Sequence, residues 1–364
     1  MFIARFGVAG ALAPLLPIAL GGCWKLETAD LPIAALDFTP GVGGPEDWRV
    51  TPISIGLECP DGEDVRFHLV HPAEADPTTT SLPVAIVFHG GAFDFVIAPN
   101  ASDPVDGTHY AEPSRLELAF PVQQSFAVLG MYPSIPDTID DGTLASALTS
   151  RGVALLLPGN CWGDLWHNSR GIVQNDTTQD FFFRDGRTAA EWAFRMTADP
   201  VFRAGIGVEF PFSPDVDHIY LVGLAEGARA VSEVLTVDVD RDGDADLHPT
   251  AIVLDNANDD LTPTFANPAL YGNRISGLLR IFPDGSASTS TGSLSTAPLP
   301  PRVAYLYSTS NPTIPPDAHG AALAALAGHP GASIRAVDSA APILLDGADP
   351  ALTDEVVDWL TSDL

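Results

Sequence analysis

The sequence predicts an α/β domain built on a mostly parallel sheet of eight strands, with helices on both faces. Two observations predict it: short apolar runs bounded by turn residues, and their regular alternation with longer helical stretches. Two β-rich runs, residues 49–59 and 64–71, come first, and Pro60-Asp61-Gly62-Glu63 between them reads as a hairpin turn. Strands are then expected at residues 82–88, 153–157, 218–222, 250–254, 303–307 and 333–337. Helices are expected at residues 143–150, 187–196, 225–236, 318–327 and 351–360. With 364 residues, 46% of them hydrophobic, the chain can bury a large core.

Charge narrows the function. Seventeen Lys and Arg face 47 Asp and Glu, a net charge of −30. Such a surface repels phosphates and excludes nucleic acid as a partner.

The N-terminus reads as an address. Arg5 precedes an uncharged run over residues 6–22 that ends in Leu20-Gly21-Gly22-Cys23. These residues resemble the lipobox of bacterial lipoproteins. The resemblance implies a signal peptide over residues 1–22, a lipid on Cys23, and a membrane-anchored protein of the bacterial cell envelope, outside the cytoplasm. Residues 23–47 would serve as a tether, and residues 48–364 as the folded domain. Two segments exceed a minimal α/β plan: residues 94–142, a candidate lid, and residues 284–301, whose Ser/Thr/Gly/Pro composition predicts a flexible loop.

The strand over residues 82–88 runs into His89-Gly90-Gly91, and the strand over residues 218–222 into Gly223-Leu224-Ala225-Glu226-Gly227. A strand followed by His-Gly-Gly resembles the oxyanion-hole loop of the α/β-hydrolase superfamily, and the second run resembles its nucleophile elbow, G-x-S-x-G. The likeness covers residues 48–364 and implies a three-layer α/β-hydrolase-like fold. It also implies an oxyanion-hole-like site at His89, Gly90, Gly91 and the backbone of Glu226, with Gly223 and Gly227 as the elbow glycines.

The catalytic positions depart from the family pattern. Ala225 stands at the nucleophile and has no hydroxyl to attack an acyl carbon. Asn311, in Ser308-Thr309-Ser310-Asn311-Pro312, falls at the acid, where an amide cannot stabilise imidazolium as a carboxylate does. The family's histidine is expected near Ala341, and no histidine follows His329. The expectation is therefore a catalytically silent hydrolase-like protein that binds a small-molecule or protein ligand.

Three further groups stand out. Cys59 and Cys161 form a disulfide or remain two buried thiols; the resemblance sets the strand ends they follow at one sheet edge, which implies the bridge. Asp238, Asp240, Asp242, Asp244 and Asp246 alternate around Gly243 like the oxygen ligands of an EF-hand-like loop, but Pro249 stands where the closing Glu belongs. The readings are an incomplete Ca2+ loop or an acidic surface turn, and no cofactor is required. Trp162, Trp166 and His167 follow the strand over residues 153–157 and belong either to a pocket rim or to loop packing. The other histidines lack zinc-ligand spacing.

Two other functions compete. One is a working esterase or peptidase with a non-standard site using Asp255 or Asp259 with His167; the other is a calcium-stabilised structural surface protein.

Overall fold

A computed structural model describes residues 37–38, 48–58, 64–88, 144–158, 188–224, 227–257, 294, 297–311, 316–340, 343–345 and 349–364. The strands are β1 (Asp37–Phe38), β2 (Trp48–Glu58), β3 (Asp64–Pro72), β4 (Ser81–Phe88), β5 (Ala154–Leu157), β6 (Ser213–Leu224), β7 (Ala251–Asp255), β8 (Arg302–Ser308) and β9 (Ala332–Val337). Among the described residues they form one nine-stranded sheet in the order β1-β2-β3-β5-β4-β6-β7-β8-β9. The pairings from β5 through β9 are parallel, and those joining β1, β2, β3 and β5 are antiparallel.

The apolar runs are strands because both of their faces are covered. Val84 to Phe88 of β4, all of β5 and all of β7 are buried, as a parallel sheet between helix layers requires. The helices are α1 (Leu144–Thr149), α2 (Ala189–Ala198), α3 (Pro200–Gly205), α4 (Gly227–Val234), α5 (Gly320–Leu326) and α6 (Pro350–Leu360). One set packs α6 against α1; the other joins α4 to α2 and to β6. Arg151, just after α1, reinforces the first set by bridging Asp354 at 3.3 Å and Asp358 at 2.5 Å.

Local chemistry starts the helices where the chain leaves the sheet. Thr188 accepts from Glu191 N at 3.0 Å to cap α2. Asp199 accepts from Val201 N and Phe202 N ahead of Pro200 in α3, and Asp349 from Leu352 N ahead of Pro350 in α6.

Three expectations need correction. The sheet has a ninth strand: Asp37–Phe38, inside the expected tether, pairs with Trp48 and Arg49. β6 begins five residues earlier than expected, because Ser213 and Pro214 already pair with Ser81 and Leu82 of β4. The segment at 284–301 is not wholly a flexible loop, since Leu294 is 2% exposed and belongs to the core.

Candidate functional site

Every parallel strand from β5 to β9 points its C-terminal end to one edge of the sheet. At that edge β4 has β5 on one side and β6 on the other, so the chain's winding reverses there, the place where open α/β sheets bind ligands.

The elbow is built from β6 and α4. Gly223 pairs with Phe88 of β4 and Leu254 of β7; the strand ends at Leu224 and the helix starts at Gly227. A Cβ added at Gly223 would lie 2.6 Å from Ala228 Cα, 2.8 Å from Ala228 N and 2.9 Å from Val231 Cγ2. Two of these are backbone atoms, so glycine is needed for helix and strand to approach this closely. Gly227 is buried as the first residue of α4. Ala225 and Glu226, between the two elements, lie outside the described residues.

A buried polar cluster holds the ends of β7 and β8. Asp255 is 0% exposed and accepts from Leu344 N at 2.8 and 3.1 Å and from Leu345 N at 2.8 Å. Asn256 takes a left-handed φ of 46°. Its side-chain oxygen accepts from Ser308 N at 2.7 Å, and its own N–H donates to Leu306 O at 2.9 Å. Asn311, three residues beyond β8, is buried beside this cluster's strands. Past β9, Ser308 Oγ donates to Ser339 O, and Ser310 Oγ to Asp338 at 2.5 Å.

No family model matches the chain, and no curated protein matches it. Solved structures do. A candidate dipeptidyl aminopeptidase IV from Bacteroides ovatus superposes with TM-score 0.50 at 12% identity, over 87% of this chain and 36% of that one. The chain has the α/β-hydrolase fold. Two other similar structures are the Pyrococcus horikoshii acylaminoacyl peptidase (TM-score 0.49, 11% identity, 87% and 41% coverage) and a Lactobacillus plantarum lipase/esterase (0.48, 13%, 86% and 98%). The chain spans little more than a third of the length of the Bacteroides protein.

Within the hydrolase fold, the expected site residues divide. Gly223, Gly227 and Asn311 sit at the C-terminal edge. His89, Gly90, Gly91, Trp162, Trp166, His167, Asp259 and Ala341 lie outside the described residues, as do Cys23, Cys59, Cys161 and residues 94–142. Asp255 is a candidate acid for a non-standard hydrolase; its carboxylate is buried and accepts from the backbone N–H groups of residues 344–345. Sequence reasoning passed over Asn256, whose signal is the Asp-Asn pair ending an apolar strand, and weighed His319, a lone histidine between a proline-rich run and an alanine-rich helix, only as a zinc ligand.

The acidic loop follows α4 and lies on the side leading back to the start of β7, away from the elbow. Asp238, Asp240 and Asp246 each bring a carboxylate oxygen within 4.8 Å of the others. Asp242 and Asp244 are not in that group, and Asp242 accepts from Asp244 N at 2.9 Å instead. Gly243, with φ 100°, and Arg241, with φ 64°, make the turn. Asp238 accepts from Gly243 N at 2.8 Å and Asp246 from Val239 N at 2.5 Å.

Proposed function

We propose that this is a lipid-anchored, extracytoplasmic protein of hydrolase fold that binds a small-molecule or protein ligand at the C-terminal edge of its sheet and does not turn it over. The observation carrying this reading is the elbow. Gly223 is packed so tightly that only glycine fits, yet the residue two positions on, where the superfamily carries its nucleophile, is Ala225. Asn311 in place of the acid and the lack of histidine after His329 support the same reading, because a restored hydroxyl would have no base.

Anchoring rests on Leu20-Gly21-Gly22-Cys23, and changing Cys23 to Ser is expected to release the protein from membranes or block its processing. In that compartment Cys59 and Cys161 are proposed to be bridged. β2 and β5 both run antiparallel to β3, so Glu58 and Leu157, the strand ends nearest these cysteines, point to one edge.

The test is turnover of short-chain aryl esters and covalent labelling by a fluorophosphonate probe, on wild type and on Ala225→Ser. Neither protein is expected to turn over or be labelled. Sustained wild-type turnover, or a labelled serine near the elbow, would overturn the proposal.

A further inference from the structure

The helix layer over β8 begins with a 3-10 turn, Pro316–His319, that leads directly into α5. His319 is 0% exposed. Its ring stands edge-on to Tyr305 at 5.9 Å and lies 5.2 Å from Tyr307. Nδ1 shares a hydrogen bond with the Tyr305 hydroxyl at 2.9 Å, and that hydroxyl also reaches Ala257 O at 3.3 Å. Nε2 is buried and has no hydrogen-bond partner among the described residues.

No carboxylate among the described residues pairs with this ring. β8 presents two tyrosines, and α5 (GAALAAL) carries no titratable residue. Asp317 of the turn is exposed. At the end of β7, Asp255 is occupied by the amides of Leu344 and Leu345. Burial therefore holds the imidazole neutral and lowers its pKa from 6.5 to about 4, with the Ala257 carbonyl acting in the opposite direction.

We propose that the His319–Tyr305 contact is an acid-released latch: it keeps the 3-10 turn packed on β8, and with it the start of α5, while the imidazole is neutral and frees them when the ring takes up a proton. The sign follows from linkage. A released ring in water titrates near its ordinary value, so the open state binds a proton that the closed state refuses. Opening gains about tenfold for each pH unit below 6.5 until pH reaches about 4, roughly 300-fold in all. The latch itself does not depend on the ligand-binding reading.

Hydrogen exchange of the α5 amides, corrected for intrinsic rates and followed from pH 6.5 to 5 in the full chain, tests it. That window lies above most carboxylate titration. Wild type should open roughly 15-fold more at pH 5 than at pH 6.5; His319→Gln, which keeps a polar group for Tyr305 but cannot titrate, should stay flat, and β6 amides should be unchanged in both. A flat wild type, or equal slopes in the two proteins, would refute the latch. Should His319→Gln fail to fold, wild type alone decides: α5 amides that open more as pH falls while β6 amides stay flat support the latch, and the same pH response in both elements overturns it.

Discussion

The carboxylate of Asp255, at the end of β7, is bound to the backbone N–H of Leu344, 89 residues later in the chain, at 2.8 and 3.1 Å. It takes Leu345 N as well, and so ties residues 344–345 to the end of β7. Asp255→Ala would leave these buried donors unpaired, at about 1 to 3 kcal/mol each. Asp255→Asn keeps one acceptor oxygen and should lose less. Denaturant unfolding of the two variants checks this; equal losses would show that the amide bonds do not carry the effect.

The contrast between Asp255 and the strand it ends shows which parts of the molecule the sequence makes readable. β4, β5 and β7 are legible because burial on both faces forces continuous apolar runs, a local signal. The elbow is legible because Gly223 answers a local steric need. β1 was hidden because Asp37–Phe38 has no pattern of its own and exists only through pairing with β2. The partners of Asp255 at residues 344–345 are backbone amides, which no side-chain motif announces. His319 was equally silent, since its meaning comes from Tyr305 and Tyr307 on another element.

Gly223 should be intolerant of even one methyl group. The added carbon would meet Ala228 backbone at 2.6 and 2.8 Å, and backbone cannot swing aside as a flexible side-chain end can. Gly223→Ala is expected to cost about 1 to 3 kcal/mol, typical of overpacking. At Gly320, the first residue of α5, a Cβ meets nothing within 4 Å, so Gly320→Ala should be neutral or stabilising by several tenths of a kcal/mol. Melting temperatures of the pair provide the check, and similar shifts in both would remove the packing argument.

The opposite edge of the sheet carries a pH response of its own. His218 Nδ1 lies 2.8 Å from Asp215 Oδ2. That bond raises the imidazole pKa, burial opposes it, and Asp363 and Asp217 add to the rise. A raised folded value means that the stabilisation is complete below about 6.5 and is lost as pH climbs through the folded value. The ring is a quarter exposed, so salt and water limit the effect to about 1 kcal/mol or less. Wild-type stability should fall between pH 6.5 and 8 by more than that of His218→Gln, and parallel pH profiles would remove His218 from the account.

The acidic loop separates its own residues into two groups. Asp238, Asp240 and Asp246 converge within 4.8 Å, and each pair of such charges repels by about 1 kcal/mol in water at roughly 4 Å. A divalent cation would relieve that repulsion, and oxygen-only ligands suit Ca2+. Asp244 is outside the group. Calcium at about ten times its dissociation constant should add about 1.4 kcal/mol by mass action. Melting temperature should then rise by about 2 to 3 °C, with no rise for sodium at equal ionic strength. Asp240→Asn should abolish the calcium shift, whereas Asp244→Asn should keep it. A shift of equal size with sodium, or no shift with calcium, would leave an acidic surface turn held by its backbone bonds to Asp238 and Asp246.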